Sequence, residues 1–359
     1  MICVNGIWRW RHRATSGKLN GYENVISSYN IISVEDYKEL DEASQRRLAK
    51  EVLGKIRETN IYPTYYYSPQ EIHKDIDKCF KVPTNGLVSY NTTGNTMLEY
   101  LFPNMHRVDA GNSTSNCLYN RFYDDDKLMK CIIRHMKNYP FTNLRTMFFM
   151  YGRYFWQTAT GFSPMRAKAI YTEFVNDGDV VYDMSAGFGG RMLGAVTSNK
   201  NLTYIGCEPD TNTFHNLSVL GEHLEEASPK RPSISLINSG SEDTVLARES
   251  VDFIFSCPPY YGLERYSQEE TQSIVKYPVY EDWLNNYAYG TLYNAYNALK
   301  PGGRMALVLS SAIYYLNIKY ELGSDWRRLA EYVGFKFLGT EQINKRVRGN
   351  AELLYVFER

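Results

Sequence analysis

Five consecutive residues in the second half of the chain combine a stiff backbone with an aromatic ring: Ser256-Cys257-Pro258-Pro259-Tyr260. They follow an apolar run that begins at Val251. The two prolines fix their φ angles and lack N–H donors, so they hold the preceding carbonyl groups in a set direction. Such a carbonyl can accept a hydrogen bond from an amine, and the ring of Tyr260 can stack on a planar molecule. The motif therefore predicts a site that orients a flat ligand.

A second group of residues has the composition of a ligand-binding turn. The apolar run Val180–Asp183 ends in an acid and is followed by a loop that contains Ser185, Gly187 and Gly189. The two glycines would let the backbone pass close to a ligand, as in nucleotide-binding βα turns. Their spacing is not GxGxxG, which argues against a pyrophosphate-binding dinucleotide site. An ordinary tight turn is the alternative.

Two more acids follow the next predicted strands. Glu208 ends the run that begins at Thr203, about 25 residues after Asp183, where an acid suits the two hydroxyls of a ribose. The third run leads to the polar segment 238–243, where a polar side chain could meet an adenine amine. The alternative for Glu208 is a surface glutamate near a turn.

Seven short apolar runs in the second half predict the strands that carry these residues. Glycine-rich turns after the runs and β-branched residues within them favour strands over buried helices. Helical patterns or loops separate the first five runs, which predicts βαβ units and a mostly parallel sheet. A polar stretch joins the last two, which predicts a hairpin with an antiparallel strand at the end. The runs are 180–183, 203–207, 233–237, 251–256, 304–309, 335–339 and 353–357.

The first half has helical patterns instead. A mainly apolar set recurs every four positions, which predicts one helix: Leu40, Ser44, Leu48, Val52 and Ile56. Ser68-Pro69-Gln70-Glu71 has the layout of a capping box, and Ile72, Ile76 and Phe80 would line one face of the helix that follows. Segments 127–138 and 144–156 are predicted helices, and 83–120 is predicted to be irregular. We expect a boundary near residue 158, so that 1–158 is a helical or mixed region.

These features together resemble class I S-adenosylmethionine-dependent methyltransferases, over residues 160–359 or about half of the chain. The resemblance implies an α/β fold with a Rossmann-like seven-stranded methyltransferase domain at 159–359, and S-adenosylmethionine as the cofactor. Pro301-Gly302-Gly303 before a strand is another recurring feature of this fold. The positions that match cofactor-binding residues of the family are Asp183, Ser185, Gly187 and Gly189 in the loop, Glu208 at the ribose, Asp243 at the adenine, and Phe162 and Ser163 where a helix closes over the methionine end.

The stretch Ser256–Tyr260 is similar to the (Asp/Asn/Ser)-Pro-Pro-(Tyr/Phe) motif of amino-methyltransferases. Those enzymes act on adenine or cytosine in DNA, and on some RNA and protein amides. The longer stretch Ser256–Tyr266, together with Tyr280–Leu284, is most similar to phage and prokaryotic DNA methylase-like proteins. The resemblance implies that Cys257, Pro258, Pro259 and Tyr260 are catalytic and hold a base amine in line with the sulfonium methyl. A base in a duplex would be flipped out, at a cost of roughly a few kcal/mol that stacking on Tyr260 or Tyr261 would offset.

Cys257 departs from the family pattern, because a thiol is a weaker hydrogen-bond acceptor than Asp, Asn or Ser. Three interpretations are open. The backbone carbonyls suffice and Cys257 is a tolerated variant, or the target is not an amine and Cys257 is a nucleophile acting through its thiolate. The third is a protein that binds the cofactor without turnover, such as a cofactor-sensing DNA-binding module. RNA, a nucleotide or another base position are alternative targets.

Composition limits the partners. Forty basic residues balance forty acidic ones, which argues against a surface covered in positive charge. The six cysteines are scattered without a CxxC pair, and none of the six histidines shows metal-ligand spacing, so no metal is expected. We expect no membrane partner and a cytoplasmic location, the host cytoplasm for a phage protein. The oligomeric state cannot be read from the sequence.

Three segments are candidate nucleic-acid contacts, with DNA the expected partner and RNA possible. Trp8–Arg13 alternates aromatic and basic residues in an acid-free N-terminus. Lys345, Arg346 and Arg348 lie between the last two predicted strands, and Leu263–Lys276 is a polar loop directly after the Pro-Pro motif. Each could instead be a solvated edge strand, loop or plain surface.

Overall fold

The computed structural model describes residues 2–4, 7–9, 33–59, 62–111, 117–138, 144–155, 158–343 and 352–359. The strands Ile2–Val4 and Ile7–Arg9 pair antiparallel. The rest of the predicted basic segment at 8–13 lies outside the described residues, and so do Lys345, Arg346 and Arg348. No helix in the described ranges is long and apolar enough to cross a membrane.

The second half is built on one seven-stranded sheet. Its order is β6-β7-β5-β4-β1-β2-β3, and all strands run parallel except β7, which is antiparallel to both of its neighbours. Helices on both faces bury the central strands, which explains their nearly continuous apolar runs. The strands are β1 Val180–Asp183, β2 Thr203–Cys207, β3 Ser233–Ile237, β4 Val251–Ser256, β5 Leu299–Ser310, β6 Lys336–Gln342 and β7 Glu352–Glu358.

This sheet confirms the predicted α/β fold class. The strands β1 to β4 have the predicted bounds, while β5 begins at Leu299 rather than Arg304. The predicted C-terminal hairpin is confirmed by the antiparallel pairing of β6 with β7. Besides the N-terminal pair, two more short antiparallel pairs lie outside this sheet: Asp109–Ala110 with Glu264–Arg265, and Ile313–Tyr315 with Ile318–Tyr320.

Helices account for much of the remaining chain. The α-helices of the first half are Val34–Glu39, Glu42–Thr59, Pro69–Lys81, Asn95–Leu101, Leu118–Tyr123, Asp125–Met136 and Leu144–Phe155. Those of the second half are Pro164–Phe174, Gly190–Val196, Thr211–Ala227, Ser273–Lys276, Tyr280–Asp282, Tyr289–Ala298 and Leu322–Val333. A π-helical stretch, Trp283–Ala288, precedes Tyr289, and 3₁₀ turns form at Pro103–Arg107 and Tyr261–Leu263.

The prediction that residues 83–120 are irregular is wrong in part. The helix Asn95–Leu101 lies within them, and so do a 3₁₀ turn and the start of the helix at Leu118. Met97 and Leu98 of the first helix are buried in the main core. Burial of a short apolar face stabilises this helix although the surrounding composition is polar.

The capping box before Pro69 is present. The Ser68 hydroxyl accepts a hydrogen bond from the Glu71 N–H at 3.3 Å, and the Glu71 carboxylate accepts one from the Ser68 N–H at 2.9 Å. Ile72 and Ile76 face the core, as the helical period predicts. The cap fixes where this helix begins and therefore which face it turns toward the sheet.

Two hydrophobic layers enclose the sheet, and alternate side chains of β4 point into each. Phe253 and Phe255 lie in one layer, whereas Ile254 lies in the other. The first layer includes residues of the helix Pro69–Lys81, so the first half of the chain contributes directly to the core of the sheet. A separate cluster joins residues 37–62 to residues 118–151.

A buried lysine connects the two halves of the chain. Lys168, on the helix Pro164–Phe174, is 2% exposed, and burial lowers the pKa of its ammonium group. Its Nζ donates hydrogen bonds to the carbonyl oxygens of Cys79 at 2.9 Å, Phe80 at 3.0 Å and Val82 at 2.7 Å. These carbonyls belong to the C-terminal end of the helix Pro69–Lys81, where a cation interacts favourably with the helix dipole.

Candidate active site

A cavity of about 530 Å³ opens at the carboxyl ends of the parallel strands. The loops that follow β1, β2, β3 and β4 all contribute to its wall, as expected for ligand sites in open α/β sheets. Nine of the residues predicted for the site line it: Phe162, Ser163, Ser185, Gly187, Glu208, Cys257, Pro258, Pro259 and Tyr260. Asp183, Gly189 and Asp243 do not line it.

The loop after β1 has the backbone that its glycines allow. Gly187 and Gly189 have φ angles of 55° and 71°, in the left-handed region that favours glycine. A Cβ atom on Gly189 would lie 2.5 Å from a methyl carbon of Leu220, so this residue serves close packing beneath the loop. Gly187 lines the cavity, and its N–H donates a hydrogen bond to the Glu208 carboxylate at 2.9 Å.

Asp183 lies behind the cavity wall and is fully buried. Its carboxylate accepts hydrogen bonds from Arg191 Nε at 2.8 Å, the Tyr204 hydroxyl at 2.9 Å, the Ser256 hydroxyl at 2.9 Å and the Ser185 N–H at 3.2 Å. These donors come from β2, β4, the loop after β1 and the helix Gly190–Val196. The acid at the end of β1 therefore fixes the elements that surround the cavity relative to one another.

Glu208 follows β2 and is only 8% exposed at the cavity wall. Its carboxylate accepts the N–H of Gly187 and the N–H of Asp210, both at 2.9 Å. Burial raises the pKa of this carboxyl group to about 8. The group is thus held in one orientation, with an ionisation near neutral pH that a ligand can shift.

After β3 the structure places Glu242 at the cavity and Asp243 outside it. The Asp243 side chain is 59% exposed and lies 2.5 Å from Lys276 Nζ. The Glu242 side chain is 4% exposed, and its Oε1 accepts a hydrogen bond from the same ammonium group at 2.7 Å. Within the part of the chain that the structure describes, its buried Oε2 has no hydrogen-bond partner. A buried acceptor of this kind suits a ligand that donates a hydrogen bond.

The turn after β4 lines the cavity together with the loop after β1 that contains Gly187 and Gly189 (the glycine loop). Cys257, both prolines and Tyr260 line the cavity, and the Tyr260 hydroxyl donates a hydrogen bond to the Val308 carbonyl oxygen at 3.3 Å. The Cys257 sulfur lies 3.7 Å from this hydroxyl. Tyr261 is 4% exposed, and its hydroxyl donates to the Pro278 carbonyl oxygen at 2.6 Å. Tyr260 and Tyr261 both line the cavity, and the Tyr261 hydroxyl also anchors the turn.

The start of the helix Pro164–Phe174 completes this side of the cavity. Ser163 is its N-cap residue, and Pro164 occupies the first turn, as the sequence predicts. The Phe162 ring contacts the Phe255 ring edge to face, with centroids 5.6 Å apart. The Arg191 guanidinium lies 5.6 Å from the centroid of the Phe162 ring.

Sequence reasoning missed part of the wall. Tyr90, Asn95 and Leu98 line the cavity although they belong to the segment predicted to be irregular. The polar stretch Asn91–Asn95 gave no indication of a position in the site. Glu242 was missed because the choice between two adjacent acids after a strand depends on which side chain turns inward.

Comparison with known protein families finds a match in the second half of the chain. Residues 158–320 match the family model described as N-6 DNA Methylase. This segment contains β1 to β5, the glycine loop and the Cys257–Tyr260 turn. No curated protein matches the sequence.

Several solved structures are similar to this chain. A methyltransferase from Pyrococcus furiosus is 19% identical over 54% of this chain and 82% of that chain, with a TM-score of 0.39. TrmN from Thermus thermophilus is 17% identical over 55% of this chain, which spans 48% of TrmN, with a TM-score of 0.38. An S-adenosylmethionine-dependent methyltransferase from Mesorhizobium loti is 10% identical over 54% of this chain and 98% of that chain, with a TM-score of 0.37.

Most of the residues that line the cavity lie in the segment that matches the family model. Residues 158–320 are therefore similar to the N-6 DNA methylase family, and the chain is a DNA methyltransferase that uses S-adenosylmethionine as its cofactor.

Proposed function

We propose that this cavity is where the enzyme transfers a methyl group to the N6 amine of adenine in DNA. The observation that supports the proposal is the meeting of the glycine loop and the Cys257–Tyr260 turn in one cavity. The two segments are far apart in sequence, and both have the residue types that a planar acceptor and a nucleoside-like donor require. Their proximity would allow the donor methyl and the acceptor amine to be aligned.

The polar groups of the cavity fit the cofactor. Glu208 would accept hydrogen bonds from the ribose hydroxyls, and the unpartnered Oε2 of Glu242 would accept one from the adenine amine. Ser185 and Gly187 would contact the cofactor between its ribose and its methionine end, and Phe162 and Ser163 would lie near the methionine end. The cofactor supplies an activated methyl group on a sulfonium. In this assignment Asp183 and Gly189 act by holding the loop, and Asp243 acts through Lys276.

The turn after β4 would bind the target base. The carbonyl oxygens of Cys257 and Pro258, held by the proline rings, would accept hydrogen bonds from the amine and direct its lone pair. The Tyr260 ring would stack on the base and stabilise the positive charge that develops on the nitrogen. We infer that the carbonyls suffice, so that Cys257 is a tolerated variant at this position. Its 3.7 Å contact with the Tyr260 hydroxyl leaves the thiol a role in orienting that ring.

We propose that residues 1–158 contact DNA and that 159–359 form the methyltransferase domain. Residues 90–98 of the first region already contribute to the cavity wall, which supports a role in substrate binding. A DNA substrate would place the enzyme in the cytoplasm of the cell that holds the DNA, which is the host's cytoplasm if a phage carries the gene.

Mass spectrometry of nucleosides from cells that express the protein tests this function. We expect N6-methyladenine in the DNA of cells with the wild-type protein and none above background with Tyr260→Ala. Methylation confined to RNA would identify a different substrate. Cofactor binding without any methylated nucleoside would favour a cofactor-sensing protein without turnover.

Glu242→Ala is expected to weaken S-adenosylmethionine binding about 10- to 100-fold, because hydrogen bonds to charged acceptors contribute about 1.5–3 kcal/mol. Isothermal titration calorimetry measures the affinity. Asp243→Ala is the matched control, since it removes the neighbouring acid and the same lysine contact from an exposed position. We expect a change below about threefold for the control. A larger loss in Asp243→Ala than in Glu242→Ala would contradict the assignment.

Cofactor affinity is expected to rise with pH through the range below about 8. Burial raises the Glu208 pKa to about 8 in the free protein, and ribose hydroxyls donate to the carboxylate form, so binding should release a proton. The affinity gain approaches tenfold per pH unit below the pKa and ends above it. Calorimetry in two buffers of different ionisation enthalpy measures the released proton. Glu208→Gln should bind more weakly with a flatter profile; an unchanged profile would show that another group titrates.

A further inference from the structure

Two helices from different halves of the chain bring three metal-binding side chains together. His73 lies on the helix Pro69–Lys81, and His223 and Glu226 lie one turn apart on the helix Thr211–Ala227. One ligand atom from each of the three lies within 4.8 Å of the other two. The cluster is outside the cavity and has no role in the proposed reaction.

The two distances from His73 to the other members of the cluster match those between the ligands of a metal site. His73 Nε2 lies 3.2 Å from His223 Nδ1 and 3.3 Å from a carboxylate oxygen of Glu226. Ligands about 2.0–2.1 Å from a tetrahedral zinc ion are separated from one another by roughly 3.3 Å. The two imidazole rings meet edge to face at an interplanar angle of 72°, so their nitrogen atoms converge instead of the rings stacking.

A hydrogen bond donated by His73 explains the positions of these three side chains less completely than a bound cation does. A single N–H on His73 Nε2 points toward one acceptor, yet this atom contacts both the His223 nitrogen and the Glu226 oxygen. A cation between the three atoms would be bound by all of them at once.

The surrounding charges favour a cation as well. Glu222 and Glu226 lie on the same helix as the partly buried His223 and add negative charge next to its ring. Two imidazoles and a carboxylate form a donor set that suits zinc.

We propose that His73, His223 and Glu226 bind a zinc ion that links the helix Pro69–Lys81 to the helix Thr211–Ala227. Water would occupy the fourth position, because the Glu226 side chain is 66% exposed. The ion would stabilise the docking of the first half of the chain onto the catalytic domain, since the helix Thr211–Ala227 follows directly after the Glu208 loop. The site neither requires nor supports a particular methylation target.

Zinc titration of the full-length protein, dialysed against a chelator and monitored by competition with a zinc-binding dye, tests the proposal. We expect one zinc ion per chain with a Kd of roughly micromolar or tighter, and a rise in Tm of about 5 °C at a hundredfold excess over Kd. His223→Gln and Glu226→Gln should each weaken binding at least tenfold. The matched control is His215→Gln, a histidine two turns earlier on the same helix that lies outside the cluster, and it should leave the affinity unchanged.

Two outcomes would overturn the proposal. Equal zinc affinities for His223→Gln and His215→Gln would place any bound zinc elsewhere, and repetition with Cys257→Ser would show whether the cavity thiol holds it. A zinc Kd above roughly 100 µM for the wild-type protein would show that the cluster is not a zinc site and that a hydrogen bond between the imidazoles and an ion pair hold the three side chains together. The Glu226 side chain is largely exposed, so Glu226→Gln should fold normally. A loss of zinc affinity in this variant would therefore not be caused by misfolding.

Discussion

Replacing Tyr260 with alanine is expected to lower the rate of methyl transfer about 100-fold or more, while the affinity for S-adenosylmethionine changes by less than about threefold. Stacking of a base on an aromatic ring contributes about 1–3 kcal/mol, and a base that is no longer held in line reacts more slowly still. Tyr260 belongs to the turn after β4, whereas Glu208 and Glu242 follow β2 and β3, so loss of its ring should leave the contacts of these two acids in place. Single-turnover transfer to adenine-containing DNA and calorimetry with the cofactor measure the two effects separately.

Tyr260→Phe is the matched control for this prediction. It keeps the stacking surface and removes only the hydroxyl, which donates to the Val308 carbonyl oxygen at 3.3 Å. We expect a rate loss below about tenfold, because one neutral hydrogen bond contributes about 0.5–1.5 kcal/mol. Equal loss of rate and cofactor affinity in Tyr260→Ala would place this side chain in the cofactor site instead.

Asp183→Ala is expected to lower the free energy of unfolding by about 3–5 kcal/mol, because it leaves a buried charge without its partner. Arg191 is 5% exposed and donates to this carboxylate at 2.8 Å, and the Tyr204 and Ser256 hydroxyls lose the same acceptor. Cofactor binding should be lost with the loop geometry. Urea unfolding followed by circular dichroism measures the stability.

Ser256→Ala is the control for the stability of this network. It removes one neutral donor and keeps the ion pair, so we expect a loss of about 1 kcal/mol. The role of Asp183 is decided by comparing stability with binding. An Asp183→Ala protein as stable as the wild type but unable to bind the cofactor would show that this carboxylate contacts the cofactor directly.

The sequence predicted the central sheet well for a physical reason. The strands β1 to β4 are buried by helices, so their apolar runs end sharply where the polar loops of the site begin. The bounds of β5 were less clear, because its first residues include Pro301, Gly302 and Gly303, which are usual in turns. The glycine loop and the Pro-Pro turn could be predicted as well, because each begins where one of these apolar runs ends.

Contacts between distant parts of the chain could not be predicted in this way. His73 and His223 are 150 residues apart, and their meeting depends on how two helices pack. The contribution of Asn95 to the cavity depends in the same way on the docking of the first half. Spacing rules for metal or ligand sites detect residues on one local element, so they miss sites formed between elements.

Lys168 donates three hydrogen bonds to the carbonyl groups of residues 79, 80 and 82. These bonds limit how this enzyme could be cut into fragments or recombined with a related enzyme. A fragment starting at residue 159 would leave the Lys168 ammonium group without those three acceptors, and it would uncover the core surface that the helix Pro69–Lys81 covers. Any recombination that replaces the first half of the chain would therefore have to retain this helix. The cluster of residues 37–62 and 118–151 is separate from the core of the sheet, but its exchange would also have to keep the contacts of Arg145 with Glu99 and of Tyr62 with His106.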